Sequence, residues 1–247
     1  MKTDRKVVLA LVAHPDDAEF LCGGTLIRLA DSGWQVHFAS ATAGDCGTMT
    51  ETPWSIAAIR TREGKTAAES IGGTFHCLGE PDGRLVYDRQ SLQKTIDLFR
   101  KVAPTLAFAL APKDYHVDHE VASQLARAAS FVYAAPNVSE HPLLEGSGVP
   151  YLYYCDALEG VDPYGQPVTP TTYVDISEQL ERKEQMLSCH ASQREWLRAH
   201  NGVDEFILSM RREAQARGSD IGVAAAEAFV QHRGHAYPKD DLLAELF

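Results

Sequence analysis

An unbroken apolar run at residues 7–13, VVLALVA, constrains the fold of this chain more than any other stretch. A run this short, between charged and polar residues, predicts a strand that is buried on both faces. Residues 14–17, HPDD, follow it directly, and residues 18–30 have the spacing of an amphipathic helix. Ligands bind at the carboxyl ends of strands in open α/β sheets. The run therefore predicts an α/β fold with a histidine and two carboxylates at its ligand-binding edge.

A second polar cluster has the same placement about a hundred residues later. Residues 106–111, LAFALA, are again apolar, and residues 114–119, DYHVDH, come next. A catalytic zinc site takes three protein ligands and keeps one position open for water. His14 and Asp17 offer two ligands, and the second cluster could supply the third. Helix capping and surface histidines would explain either cluster alone, but two clusters with the same placement favour a metal site.

Three motifs together resemble the LmbE/PIG-L family of zinc-dependent N-deacetylases: AHPDDAE at 13–19, CGGT at 22–25 and HVDH at 116–119. The resemblance extends over residues 6–229. It implies that one divalent metal ion is held by His14, Asp17 and His119. That ion is expected to be Zn²⁺, although Fe²⁺ or another divalent ion suits the same ligands.

The resemblance also implies the catalytic roles. Asp16 would be the general base for a metal-bound water, and His116 would stabilise the developing negative charge. Asp118 lies two positions after His116 and could orient it as an outer partner.

Three further residues are candidate substrate contacts. Arg60 lies in a segment similar to the family's RxxE, where a guanidinium could hold hydroxyls or a carboxylate. Asp82, in the sequence GEPDG, serves either a turn or a sugar hydroxyl. Tyr115 could donate to the oxyanion, although packing of its ring explains it equally well.

The composition limits the partners of the chain. A net charge of −11 argues against nucleic acid and against an anionic membrane surface. Five widely spaced cysteines without a CxxC pair indicate a reducing, cytoplasmic location. No stretch approaches the ~20 apolar residues of a membrane span. The expected partner is a small N-acetylated amino sugar or conjugate, and a homo-oligomer is possible.

The length of 247 residues suits a single domain over residues 1–247. The pattern predicts a three-layer α/β/α sandwich with a Rossmann-like, mostly parallel sheet, and the absence of GxGxxG disfavours dinucleotides. A fifth strand is expected at 151–155 and a helix at 178–193. Residues 205–231 have a helical pattern that is interrupted near two glycines, and the loop at 134–148 is long enough for a lid or an oligomer contact.

The expected function is therefore metal-dependent removal of an acetyl group from an N-acetylglucosamine-type amide. The main alternative is an amidase that acts on a larger thiol or glycoside conjugate with the same site. A sugar-binding protein with an inactive site and a structural oligomer component are the non-enzymatic alternatives. The complete set of motif residues argues against the inactive site.

Overall fold

A computed structural model of the protein describes residues 5–201 and 205–247. The strands in these ranges are β1 (Val7–Val12), β2 (Gln35–Thr42), β3 (Thr74–Glu80), β4 (Leu106–Ala109), β5 (Tyr151–Cys155), β6 (Thr172–Asp175) and β7 (Ala226–Gln231). The helices are α1 (Asp17–Asp31), α2 (Pro53–Glu69), α3 (Arg89–Val102), α4 (Val117–Val132), α5 (Leu180–Leu187), α6 (Ala191–Asn201), α7 (Glu205–Ile221) and α8 (Leu242–Leu246). Short 3₁₀ turns occur at Pro136–Val138 and Leu158–Gly160.

The strands form one sheet in the order β3-β2-β1-β4-β5-β7-β6. The five strands from β3 to β5 are parallel, whereas β7 runs antiparallel to both β5 and β6. The chain starts at β1, moves outward to β3, and then returns to place β4 on the other side of β1. This reversal is the topological switch point at which such sheets bind ligands. The predicted mostly parallel α/β sheet is confirmed.

Helices cover both faces of the sheet, as the apolar composition of β1 requires. Every residue of β1 is buried. Val8 on one face belongs to a core cluster with Leu26 of α1, while Leu9 on the other face belongs to a cluster with Phe99 of α3. Because successive side chains in a strand point to opposite faces, one apolar strand contributes to both cores. None of the helices in the described ranges combines the length and apolar character of a membrane crossing.

The carboxyl-terminal third differs from the sequence-based prediction at two places. The helix expected at 178–193 is two helices, α5 and α6, which are separated at Ser188–His190. The helical pattern expected through residue 231 is wrong beyond Ile221, because residues 226–231 form β7. Gly222, with φ of 77°, follows the end of α7. Ala226 and Ala228 have helix-favouring side chains, but pairing with strands on both sides overrides that local preference.

Candidate active site

A cavity of about 590 Å³ opens at the carboxyl edge of the sheet. Its walls come from the loops that follow β1 to β5 and from α1, α2, α4, α6 and α7. All the residues predicted as metal ligands and the predicted base line this cavity: His14, Asp16, Asp17 and His119. The structure therefore brings the two motifs together at the predicted edge.

Asp16 occupies a strained backbone position at the turn from β1 into α1. Its φ of 120° is unusual for a residue other than glycine, and such conformations cost about 1–3 kcal/mol. Arg60 Nη2 donates to the Pro15 carbonyl at 2.9 Å and lies 3.2 Å from Asp16 Oδ2. Burial raises the pKa of the Asp16 carboxyl to about 6, and the Arg60 guanidinium opposes that rise. The turn thus presents a buried carboxyl that can accept a proton near neutral pH.

His14, Asp17 and His119 present donor atoms that all lie within 4.8 Å of one another. His14 Nδ1 lies 3.4 Å from Asp17 Oδ2, and His119 Nε2 lies 3.4 Å from Asp17 Oδ1. Ligands held about 2.0–2.1 Å from a tetrahedral ion are about 3.3 Å apart. The three side chains therefore fit a single divalent ion.

The remaining nitrogens of both histidines face carboxylates. His14 Nε2 lies 3.1 Å from Asp82 Oδ1, and His119 Nδ1 lies 3.0 Å from Asp114 Oδ1. Burial alone would lower the pKa of His119, but the neighbouring Asp17 and Asp114 raise it to about 10. Outer carboxylates commonly fix the orientation of metal-binding histidines in this way. Asp114 begins the DYHVDH cluster but was not among the predicted site residues.

His116 caps the amino terminus of α4, and its Nε2 is the ring nitrogen that can donate a hydrogen bond. Its Nδ1 accepts a hydrogen bond at 3.2 Å from the backbone N–H of Asp118, so the neutral ring carries its proton on Nε2. Burial lowers the pKa of His116, which favours that neutral form. The Asp118 carboxylate accepts from the Gly83 N–H at 2.7 Å and lies 3.5 Å from His14 Nε2. Asp118 therefore contacts His116 through its backbone and His14 through its side chain.

The predicted substrate contacts have different surroundings. Arg60 is 4% exposed, and its guanidinium packs against Gly44. Asp82 is buried between His14 and the Cys46 N–H, which donates to it at 3.1 Å. Tyr115 is 66% exposed, with its ring edge-on to His119 at a centroid distance of 5.5 Å. All three line the cavity, and their contacts with a substrate stay predictions.

Comparison with known proteins identifies the family. Residues 9–130 match the PIG-L family, described as GlcNAc-PI de-N-acetylase, and this range contains both motifs. Diacetylchitobiose deacetylase of Thermococcus kodakarensis is 30% identical over 204 residues, which cover 77% of this chain and 71% of that protein. The chain belongs to the PIG-L family.

Two further comparisons cover nearly the whole chain. The structure of N,N'-diacetylchitobiose deacetylase from Pyrococcus horikoshii aligns with a TM-score of 0.76 at 28% identity, covering 97% of this chain and 89% of that one. The 4-oxalmesaconate hydratase of Pseudomonas putida is 25% identical over 242 residues, covering 95% of this chain and 90% of that protein. Relatives of this PIG-L chain thus include a hydratase as well as deacetylases.

The cavity lining also has a part that lies largely beyond the range that matches the PIG-L family. It is mostly apolar, formed by Phe20, Leu158, Trp196, Leu197 and Phe206. Phe20 and Phe206 are in ring contact at a centroid distance of 6.0 Å. No site residues were predicted on α6 or α7, because their apolar residues have the same spacing as residues that pack in a core.

Proposed function

We propose that this protein is a metal-dependent N-deacetylase that hydrolyses an N-acetylglucosamine-type amide. The observation that carries the proposal is the convergence of His14, Asp17 and His119 beside the buried carboxyl of Asp16. A hydrolase of this kind needs a cation site and an adjacent base, and the cavity wall contains groups suited to both. The proposed ion is zinc, held by those three ligands.

The residues of the chain have distinct proposed roles in the reaction. When bound, the zinc ion would polarise the amide carbonyl and lower the pKa of a water molecule. Asp16 accepts the proton of the water that attacks the amide carbon. His116 Nε2–H donates a hydrogen bond to the carbonyl oxygen as negative charge develops there. Asp16 then returns the proton to the nitrogen as the C–N bond breaks, which releases acetate and a free amine.

The charges in the cavity favour a neutral substrate over a carboxylate. Arg60 is the single arginine or lysine among the described residues that line the cavity, and it already contacts Asp16. Carboxyl groups of Asp17, Asp82 and Asp114 lie on the same wall. Even with the two charges of the proposed divalent ion and the charge of Arg60, the five carboxyl groups of the lining leave a net negative charge. That charge repels an anionic substrate, whereas an N-acetyl amide carries no charge. The product amine is cationic and is therefore compatible with the negative charge of the cavity lining.

Hydration of a carboxylate substrate is the second candidate function, because the relative from Pseudomonas putida is a hydratase and aligns with almost the whole chain. The acidic wall argues against it. The cavity volume of about 590 Å³ lies within the ~300–1,000 Å³ of small-molecule sites and leaves room for a larger conjugate. An amidase for a thiol or glycoside conjugate therefore remains the alternative within the same reaction class.

A substrate panel tests the proposal. Purified protein loaded with Zn²⁺ is incubated with N-acetylglucosamine, its disaccharides, an N-acetylglucosaminyl thiol conjugate and 4-oxalmesaconate. Acetate release from an N-acetyl compound, absent in the Asp16→Asn variant, is the expected result. Turnover of 4-oxalmesaconate without acetate release would replace deacetylation with hydration. The predicted cytoplasmic location and homo-oligomer stay predictions.

A further inference from the structure

The segment between α5 and α6 is anchored to two other helices by buried or half-buried polar contacts. His190 is fully buried, and its Nε2 lies 3.1 Å from Glu19 Oε1 on α1. The Ser192 backbone N–H donates to Glu63 Oε1 of α2 at 2.9 Å, and its hydroxyl donates to Oε2 at 2.6 Å. These contacts fix the first turn of α6 against the helix that carries Arg60.

Gln193 follows these anchors and lines the cavity. Its Oε1 is buried and has no hydrogen-bond partner in the parts of the chain that the structure describes. A buried amide oxygen without a partner is unfavourable, and a ligand that donates a hydrogen bond to it removes that cost. The side chain offers both a carbonyl acceptor and an N–H₂ donor, so either orientation leaves it able to bind a polar ligand group.

The position of Gln193 places it on the same side of the cavity as the proposed base. A Cβ atom on Gly47 would lie 3.1 Å from Gln193 Oε1 and 2.7 Å from Arg60 Nη1. Arg60 in turn contacts Asp16. The bare backbone of Gly47 therefore lets the Gln193 amide approach the group that holds Asp16.

Other polar side chains on this wall already have partners. Arg60 donates to Pro15 and lies beside Asp16, while Asp82 contacts His14 and accepts from the Cys46 N–H. A substrate whose amide lies at Asp16 would bring the neighbouring ring substituents towards the uncommitted amide of Gln193.

We propose that the Gln193 side chain hydrogen-bonds a substrate hydroxyl next to the N-acetyl group. Gln193 is thereby a specificity-determining residue. It selects N-acetylated amino sugars over acetamides whose ring has no hydroxyl groups. This inference rests on the proposed function and assigns a further substrate contact in the same cavity.

Binding to two ligands tests the assignment without turnover. In the Asp16→Asn background, dissociation constants are measured by NMR titration for N-acetylglucosamine and for N-cyclohexylacetamide, which has the ring and the amide but no hydroxyls. Gln193→Met keeps the chain length and removes the polar group. It should raise the dissociation constant of N-acetylglucosamine about tenfold, because one hydrogen bond to a buried group is lost. The dissociation constant of N-cyclohexylacetamide should not change. Glu195→Gln, at an exposed position on the same helix, is the control and should alter neither constant.

Each other outcome overturns the assignment. If Gln193→Met raised the dissociation constants of both ligands equally, the substitution would have changed the shape of the cavity wall. If neither dissociation constant changed, Gln193 would not contact the sugar. If the parent protein releases acetate while Gln193→Met binds normally, only the assignment of Gln193 fails. If the parent neither binds nor hydrolyses any N-acetylated sugar, the proposed function is wrong, and so is the contact assigned to Gln193.

Discussion

Helix α1 touches two buried charged clusters that differ in how their charges are satisfied. The first, the Glu227 cluster, contains Glu227, Lys183, Gly24 and Thr25. Lys183 Nζ lies 2.6 Å from Glu227 Oε1, and the backbone N–H groups of Gly24 and Thr25 donate at 2.8 and 2.7 Å. The Thr25 hydroxyl donates at 2.5 Å. Both oxygens of Glu227 therefore have donors, and none of the four residues lines the cavity.

The second, the metal-side cluster, contains His14, Asp16, Asp17 and His119. Here the Asp17 carboxylate accepts from the His14 backbone N–H at 2.7 Å, but the ring nitrogens of His14 and His119 lie 3.4 Å from it, longer than a hydrogen bond between well-placed partners, and the side chains line a cavity. The comparison shows that buried charge alone does not indicate a functional site. A functional site is indicated where buried charges surround a gap that suits a cation and lie at the edge of a cavity. A ligand can complete the contacts of such charges.

The largest expected effect of a single substitution is in the metal-side cluster. Asp16→Asn removes the base but keeps a group that can accept a hydrogen bond from Arg60. Turnover should fall by about 10²–10⁴, while the free energy of unfolding stays within about 1 kcal/mol of the parent. Turnover measurements and urea denaturation on the same preparation check both expectations. Full activity would reassign the base to another residue.

The Glu227 cluster should respond in the opposite way. Lys183→Met leaves the Glu227 carboxylate buried without its cation, which should lower the free energy of unfolding by about 3–5 kcal/mol. Activity per folded molecule should be unchanged. The double variant Lys183→Met with Glu227→Gln is the control and should recover part of the loss, because no unpaired charge remains. A single variant as stable as its parent would contradict the structural role of this cluster.

The two histidines of the second motif have different predicted roles: His119, in the metal-side cluster, is a metal ligand, and His116, beside that cluster, is a hydrogen-bond donor. His116→Ala should keep the metal and lower turnover by about 10²–10³, since it removes one donor to the developing oxyanion. His119→Ala should lose bound metal, because it removes a ligand. Metal analysis and turnover on both purified variants distinguish them. A metal-free His116→Ala beside a loaded His119→Ala would reverse the two roles.

Glu213, on α7, is a partly buried charged residue that belongs to neither cluster. The expected effect of its substitution, on the pH dependence of the free energy of unfolding, is the smallest of the four. Burial raises the pKa of this carboxyl to about 7, against the lowering influence of a hydrogen bond from the Glu159 backbone and of the Lys183 charge, and the charges of Asp156 and Glu159 add smaller increases. The folded state therefore binds a proton more tightly than the unfolded state. Stability from this group is complete below about pH 4 and is lost as the pH rises through about 7. The shift alone corresponds to about 3 kcal/mol, and solvent screening of this partly exposed carboxyl reduces the expected loss to about 2 kcal/mol.

Denaturation curves between pH 4 and pH 8 test this expectation. Glu213→Gln should flatten the fall in stability over that range, whereas Glu195→Gln, at an exposed position, should leave it in place. If both variants retain the slope of the parent, another group causes the pH dependence.

Several site residues could be predicted because their signals are local. The apolar run of β1 and the adjacent HPDD sequence determine a buried strand that ends in His14, Asp16 and Asp17. The DYHVDH cluster places His116 and His119 at the start of a helix in the same manner. Motif spacing and strand-end placement are properties of neighbouring residues, so the sequence contains them directly.

Other features depend on partners that are distant in the chain. Residues 226–231 are a strand because β5 and β6 lie on either side of them, and their own side chains favour a helix. Lys183 meets Glu227 and Asp114 orients His119 only after the strands and helices have packed.

The sequence by itself determined the α/β class, the family motifs and the edge of the sheet at which the predicted ligands lie. Only the tertiary structure decided which carboxylates face each histidine, and that Gln193 reaches the cavity beside Gly47. The physical reason is that periodicity records which face of an element is buried, whereas the identity of the neighbour on that face depends on how all the elements pack.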